Sequence, residues 1–248
     1  MRRKWLGDNH DMRKYCLLKL LSDTIHANIA VNWMLTDDEQ DARLNINNNH
    51  NDYCDNLSNG YEDYLKLMNA VLGFKGSVDD MDTILNNNGL LHFSYKGENL
   101  KKNREVWLNR FLDNINDNSL LFFDPNTGIE TPSTQKADYE NYLLFNEIVK
   151  SFTNEKVVGL LVYQHALRSG SKGKKKSEEQ IQAIKDKLDR LKELFIQMPP
   201  TMVFAGGKNS NECFGEAYIL LLKDKTNMTN IQKMVKAMFC ESFLSIVM

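Results

Sequence analysis

The sequence is short of the residues that mark several large classes of protein. It has only four prolines in 248 residues, and 42% of the chain is hydrophobic; that excludes an extended or disordered polypeptide. The four cysteines, Cys16, Cys54, Cys213 and Cys240, are far apart and form no CxxC pair. A zinc knuckle and a disulfide framework are thereby excluded, and reduced, mostly buried thiols are expected. No segment approaches the roughly 18 consecutive apolar residues of a membrane span. The opening residues, Met1 to Asp8, put no apolar run behind their positive charges, so no signal peptide is expected. These absences lead to the expectation of a soluble cytoplasmic protein without a membrane partner. A formal net charge of -2 argues against a globally basic nucleic-acid binder. GxGxxG, Walker A, HExxH, GxSxG and clustered Cys/His patterns are all missing. The stretch Trp33-Met-Leu-Thr-Asp-Asp38, which ends a first predicted strand, also lacks the glycines that let a backbone approach a cofactor.

What is present is a regular alternation of short apolar runs with amphipathic segments. Strands are predicted over 27–35, 90–95, 120–124, 157–163, 201–205 and 216–222, with Ile29 and Val31 on one face of the first. Helical spacing covers 11–23, 61–73, 77–86, 101–116, 137–152, 178–197 and the C-terminal stretch around Ile231 to Phe239. Strands separated by helices of this length imply βαβ crossovers and a mostly parallel sheet. The last two strands have no helix between them and are expected to pair antiparallel at one edge. The expected fold is therefore a single α/β domain over 1–248, a mostly parallel Rossmann-like sheet with helices on both faces and an antiparallel edge hairpin. A polar insertion is expected at about 37–88, lying over one end of the sheet. Its Asn-rich run, Asn45 to Asp52, reads as an exposed loop.

Three polar clusters stand out against this frame. Leu120-Leu-Phe-Phe-Asp-Pro-Asn-Thr-Gly128 is a strand buried on both faces that ends in a carboxylate and a turn. Ligands of open α/β sheets sit outside the carboxyl ends of the strands, so Asp124, Asn126 and Thr127 are candidate site residues; capping of the turn by Asp124 is the simpler alternative. The next buried strand ends Tyr163-Gln-His-Ala-Leu-Arg168, adding Gln164, His165 and Arg168. His165 suits a general acid or base, its unperturbed pKa being near 6.5. Gly7-Asp-Asn-His-Asp11 with Lys14 opens the chain: Asp8 or Asn9 can cap the following helix, and Asp11 and Lys14 share one of its faces. Strand polarity brings these clusters to one rim, so Asp124, Asn126, Gln164, His165 and at least one of Asp8, Asn9, Asp11 or Lys14 are expected around a single pocket. The run Arg168 to Lys176 holds five cations, among them Lys172 and Lys174, in a Gly/Ser setting read as a flexible loop. It would attract phosphates, or simply be solvated.

Gly7-x-x-x-Asp11-x-x-Lys14-Tyr15 resembles the amino-terminal motif of the ribosomal-RNA adenine N6-methyltransferases of the RlmJ kind. Phe123-Asp124-Pro125 resembles the Asp-Pro-Pro-Tyr motif with which such enzymes hold the target amine. Asn126-Thr127 replaces the Pro and the aromatic residue, and the glycine-rich cofactor loop is missing. The whole pattern also resembles uncharacterised bacterial proteins with GDNxD, DPxTG and YQH motifs. The first resemblance implies a methyltransferase-like enzyme acting on nucleic acid or a nucleotide. In it Asp124 and Asn126 would accept hydrogen bonds from the target amine, and Asp11 and Lys14, with Asp8 and Asn9, would hold S-adenosylmethionine. Arg168, Lys172, Lys174 and Thr127 would contact the substrate. Two other readings stay open. One is a metal-dependent nuclease or phosphohydrolase, with Mg²⁺ on Asp8, Asp11 and Asp124. The other is a non-catalytic Rossmann-like binding module.

Overall fold

The computed structural model describes residues 9–35, 62–71, 74, 76–96, 103–165, 173–197, 199–206, 216–239 and 244–247, with the backbone alone at 9, 10, 12, 65, 173–177, 205, 206, 239 and 244–247. In chain order the elements are α1 (Asn9–Ile25), β1 (Asn28–Asn32), α2 (Glu62–Val71), α3 (Val78–Asn87), β2 (Phe93–Tyr95), α4 (Arg104–Asn114), β3 (Ser119–Phe123), β4 (Gly128–Ile129), a 3₁₀ turn (Lys136–Asn141), β5 (Tyr142–Leu143), α5 (Phe145–Thr153), β6 (Val157–His165), α6 (Gly173–Leu194), β7 (Thr201–Gly206), β8 (Glu216–Leu222), α7 (Met228–Phe239) and β9 (Leu244–Val247). Seven strands form one sheet in the order β2-β1-β3-β6-β8-β7-β9; β4 and β5 pair apart from it. Strands β2, β1, β3 and β6 run parallel, while β8 runs against both β6 and β7.

The alternation of side chains explains why β3 reads as a continuous apolar run. Leu120 and Phe122 enter one apolar cluster, shared with α1, α2, α3 and α7. Leu121 and Phe123 enter the other, shared with α4, α5 and α6. The sheet is therefore covered on both faces, as parallel sheets require. Ile29 and Val31 share the α1 face as expected, and Ala30 takes the opposite one.

Three features differ from the sequence-based expectation. The helix expected over 137–152 is broken into the 3₁₀ turn, β5 and α5. Arg104 is the cause: its guanidinium donates to the carbonyls of Tyr139 and Tyr142, each at 2.8 Å, and grips Glu147 with two bonds of 2.7 Å. Those carbonyls are lost to a continuous helix. The last two predicted strands, β7 and β8, pair antiparallel as expected, but β9 adds a further strand beyond β7. Gly173 to Lys176, read as loop, form the start of α6. The Asn-rich run and Cys54, Cys213 and Cys240 lie outside the described residues; Cys16 is buried. From the 37–88 segment, α2 and α3 bring Tyr64, Leu67, Val71, Met81 and Leu85 into the α1-side cluster.

Close packing of the sheet centre hinges on Gly159 of β6. A Cβ there would lie 2.9 Å from Leu222 Cδ2, 3.0 Å from Leu120 Cδ1 and 3.1 Å from the Leu221 carbonyl oxygen. Gly159→Ala should therefore destabilise the protein by roughly 1–3 kcal/mol in urea unfolding. A loss below about 0.5 kcal/mol, the range of ordinary surface substitutions, would contradict this packing.

Candidate functional site

The carboxyl edge of the parallel strands is where α1 comes down. Asp11 and Lys14 are one turn apart, and α1 lays Lys14 on the residue that follows β3. Lys14 Nζ donates to Asp11 Oδ1 at 2.7 Å and to Asp124 Oδ2 at 2.9 Å, and all three side chains are buried. The same ammonium lies 4.9 Å from the ring centroid of Tyr163, a cation–π contact strengthened by desolvation. Burial alone would lower the Lys14 pKa. The Asp11 and Asp124 carboxylates outweigh it, helped by Tyr163, and hold the ammonium well above the usual lysine value.

A second buried pair lies beside the first. Arg13 Nε donates to Glu216 Oε1 at the start of β8. Burial, then the Glu216 carboxylate, pushes the Tyr218 phenol well above its ordinary pKa, with Arg13 acting against them. The Tyr218 ring meets Tyr163 edge-on, with centroids 5.7 Å apart. Nothing in the sequence pairs Arg13 with Glu216, 203 residues away; only the register of β6 against β8 brings His165 opposite Glu216.

The turn after Asp124 is clamped from two sides. Gln164 Oε1 accepts from the Ile129 N–H at 2.9 Å, and its Nε2 donates to the carbonyls of Thr127 and His165 at 3.2 and 2.8 Å. The His165 N–H also donates to the Thr127 carbonyl. Gly128 has φ +125°, and a Cβ there would meet Gln164 at 2.4 Å. The glycine is thus required both by its backbone and by the amide lying across it. From the far side, Lys187 of α6 donates to the carbonyls of Ile129 and Glu130. Asn126 Nδ2 donates to Asn141 Oδ1 at 2.9 Å, which spends the amide nitrogen. Its oxygen is left as an acceptor two residues from Asp124.

Of the residues expected at the site, Asp11, Lys14, Asp124, Asn126, Thr127, Gln164 and His165 are at this edge. Phe123 pairs with Val162, which sets Asp124 beside Tyr163. His165 is exposed, with Nδ1 3.4 Å from the Tyr163 hydroxyl. Asp8, Arg168 and Lys172, and the side chains of Asn9 and Lys174, lie outside what is described. Gln164 is a positioning residue by its contacts, since its amide is consumed by the turn. Lys14 stands between the carboxylates of Asp11 and Asp124, which a shared Mg²⁺ would have to bridge; among the described residues no group of three or more His, Cys, Asp or Glu side chains is placed to hold a metal.

Sequence reasoning passed over Asn32, the last residue of β1. It is wholly buried, pairs in register with Phe123, and accepts the Asp124 N–H on its backbone carbonyl at 3.2 Å. Its Oδ1 accepts from the Met34 N–H at 3.3 Å, and its Nδ2 has no hydrogen-bond partner. The available signal was an Asn set between the apolar residues Val31 and Trp33 at the end of a strand.

Lys187 gives the clamp a pH signature. Burial lowers its pKa from 10.5 to about 8, opposed by Glu130. Below pH 8 the folded protein bears the full cost of the buried charge, about 3 kcal/mol. Between pH 8 and 10.5 the unfolded chain binds more protons, so stability from this group rises with pH. Unfolding of wild type and Lys187→Met across pH 7–10 should show that rise in the wild type and its loss in the variant. Parallel pH curves for the two proteins would refute the assignment.

In comparisons with known proteins, no family model matches the chain, and no curated protein matches it. Among solved structures, the chain is similar to a Legionella pneumophila protein described as belonging to the DUF519 family, with a TM-score of 0.48 and 11% identity, covering 98% of this chain and 97% of that one.

Proposed function

We propose that the chain is an enzyme acting on the exocyclic amine of a base in nucleic acid or a nucleotide, in the manner of an N-methyltransferase. The observation that carries the reading is the pair of fixed acceptors at the end of β3. Asp124 is held through Oδ2 by Lys14, which leaves Oδ1 as its acceptor at the end of β3. Asn126 is turned by Asn141 so that Oδ1 is its acceptor. An amine that donates one N–H to each has its lone pair aimed away from both, at an incoming electrophile. His165, exposed at the neighbouring strand end, would take the proton released when the new bond to nitrogen forms. Preorganised acceptors of this kind act without rearranging during the reaction.

S-adenosylmethionine, the cofactor that the resemblance to the RlmJ-like enzymes implies, supplies an electrophilic methyl group when bound. Asp11 and Lys14 do not fit the task of holding its amino-acid end, because Lys14 is already paired with both Asp11 and Asp124, and Asp11 with Lys14. They act as positioning residues for Asp124.

Two measurements test the reading. Calorimetry with S-adenosylmethionine should give a saturable binding heat in the wild type. Transfer of labelled methyl groups to mixed RNA, DNA and nucleotides should fall at least a hundredfold in Asp124→Ala, on the scale of losing a preorganised polar contact in an active site, and should be unaffected by a chelator. No binding heat at millimolar ligand would remove methyl transfer. Chelator-sensitive loss of a nucleic acid would put a metal-dependent hydrolase in its place.

A further inference from the structure

The sheet order places the topological switch point between β1 and β3: the chain leaves β1 for β2 on one side, then crosses to β3 on the other. In open α/β sheets the ligand crevice lies outside the carboxyl ends of the two strands at such a point. Asn32 ends β1 at this place. By the alternation of β1, its side chain shares the α4 face with Ala30, beside Phe123 of β3 and Tyr95 of β2, its register partners.

Trp107, in the N-terminal turn of α4, packs its ring edge-on against Phe123, with centroids 6.4 Å apart. The Trp107 Nε1–H is buried and, like Asn32 Nδ2, has no hydrogen-bond partner. By contrast Trp33, just beyond Asn32, gives its indole N–H to Asp82 at 2.9 Å. Two unpaired buried donors on one face, both packed about Phe123, are costly; each forfeits a hydrogen bond that water would supply. Proteins keep such groups where a ligand or an ordered water completes them. The surroundings, Tyr95, Trp107 and Phe123, are aromatic, which suits a flat ring better than a phosphate or a sugar.

We propose that the α4 face of the β1/β3 carboxyl edge binds a nucleobase, with Asn32 Nδ2 and Trp107 Nε1 donating hydrogen bonds to its ring-nitrogen or carbonyl acceptors. The inference deepens the reading above, since the base belongs either to the substrate or to the adenosine of the methyl donor. It does not require that methyl transfer occur.

The test uses the full-length ¹⁵N-labelled protein, with the Trp107 indole resonance identified from its absence in Trp107→Phe. Adenosine, guanosine, cytidine and uridine are titrated separately, with ribose 5-phosphate as a base-free control. At least one nucleoside should shift the Trp107 indole proton downfield and saturate, and ribose 5-phosphate should not. Asn32→Leu should weaken that nucleoside at least tenfold, because one of the two donors is removed. S-adenosylmethionine that displaces the nucleoside assigns the slot to the methyl donor, and joint binding assigns it to the substrate base. No nucleoside response in the wild type at millimolar concentration overturns the proposal. Binding retained within threefold in Asn32→Leu also overturns it. Because no methyl donor is needed, failure of methyl transfer leaves this result standing, and the converse holds.

Discussion

One ammonium between two carboxylates holds the carboxyl edge together. Burying Asp11, Lys14 and Asp124 strips three charges of water, a cost of several kcal/mol for each ion. What offsets it is geometry: two short charge-assisted hydrogen bonds, the Tyr163 ring face and the N-terminal end of α1, whose first turn contains Asp11. None of this exists unless α1 lies across the ends of β3 and β6. Its docking is secured by Tyr15, Leu17, Leu18, Leu20 and Leu21 in the α1-side core. The apolar face of one helix and the charge of one carboxylate are thus parts of a single arrangement.

The same economy governs the turn that follows. Asp124 to Glu130 carries the acceptors, and a free turn would let them wander. Gln164 takes two backbone groups of that region and the carbonyl of His165, Lys187 takes two more of the turn, and Gly128 makes room for the amide to lie flat. A buried lysine whose pKa falls to about 8 is expensive to keep for support alone. Its retention accords with an edge whose precise shape is worth more than stability.

Much of this was legible in the sequence because buried parallel strands and amphipathic helices carry strong periodic signals. The doubly covered Leu120 to Phe123 run, the position of Asp124 at its end, and the Tyr163-Gln-His165 terminus of the neighbouring strand all follow from those signals and from strand polarity. The broken 137–152 helix did not follow, because its cause is Arg104, a residue more than thirty positions upstream. The role of Gln164 was also hidden: an amide at a strand end looks the same in sequence whether it faces a ligand or staples a turn. Lys14 was identified as a site residue, but its charge was expected to face a cofactor. Only the tertiary fold shows that Asp124 claims it. Asn32 was overlooked because a polar residue at the end of an apolar strand becomes telling only when its partners can be counted.

The central claim is that Lys14 and Asp124 form one unit that fixes the edge. A double-mutant cycle of Lys14→Met and Asp124→Asn in urea unfolding tests it most directly. Lys14→Met alone leaves two carboxylates buried together and should cost about 3–5 kcal/mol. Adding Asp124→Asn removes one of those charges, so the double variant should recover more than about 1 kcal/mol relative to the sum of the single losses. Additive losses, within about 0.5 kcal/mol, would mean that the two residues act independently and would contradict the account.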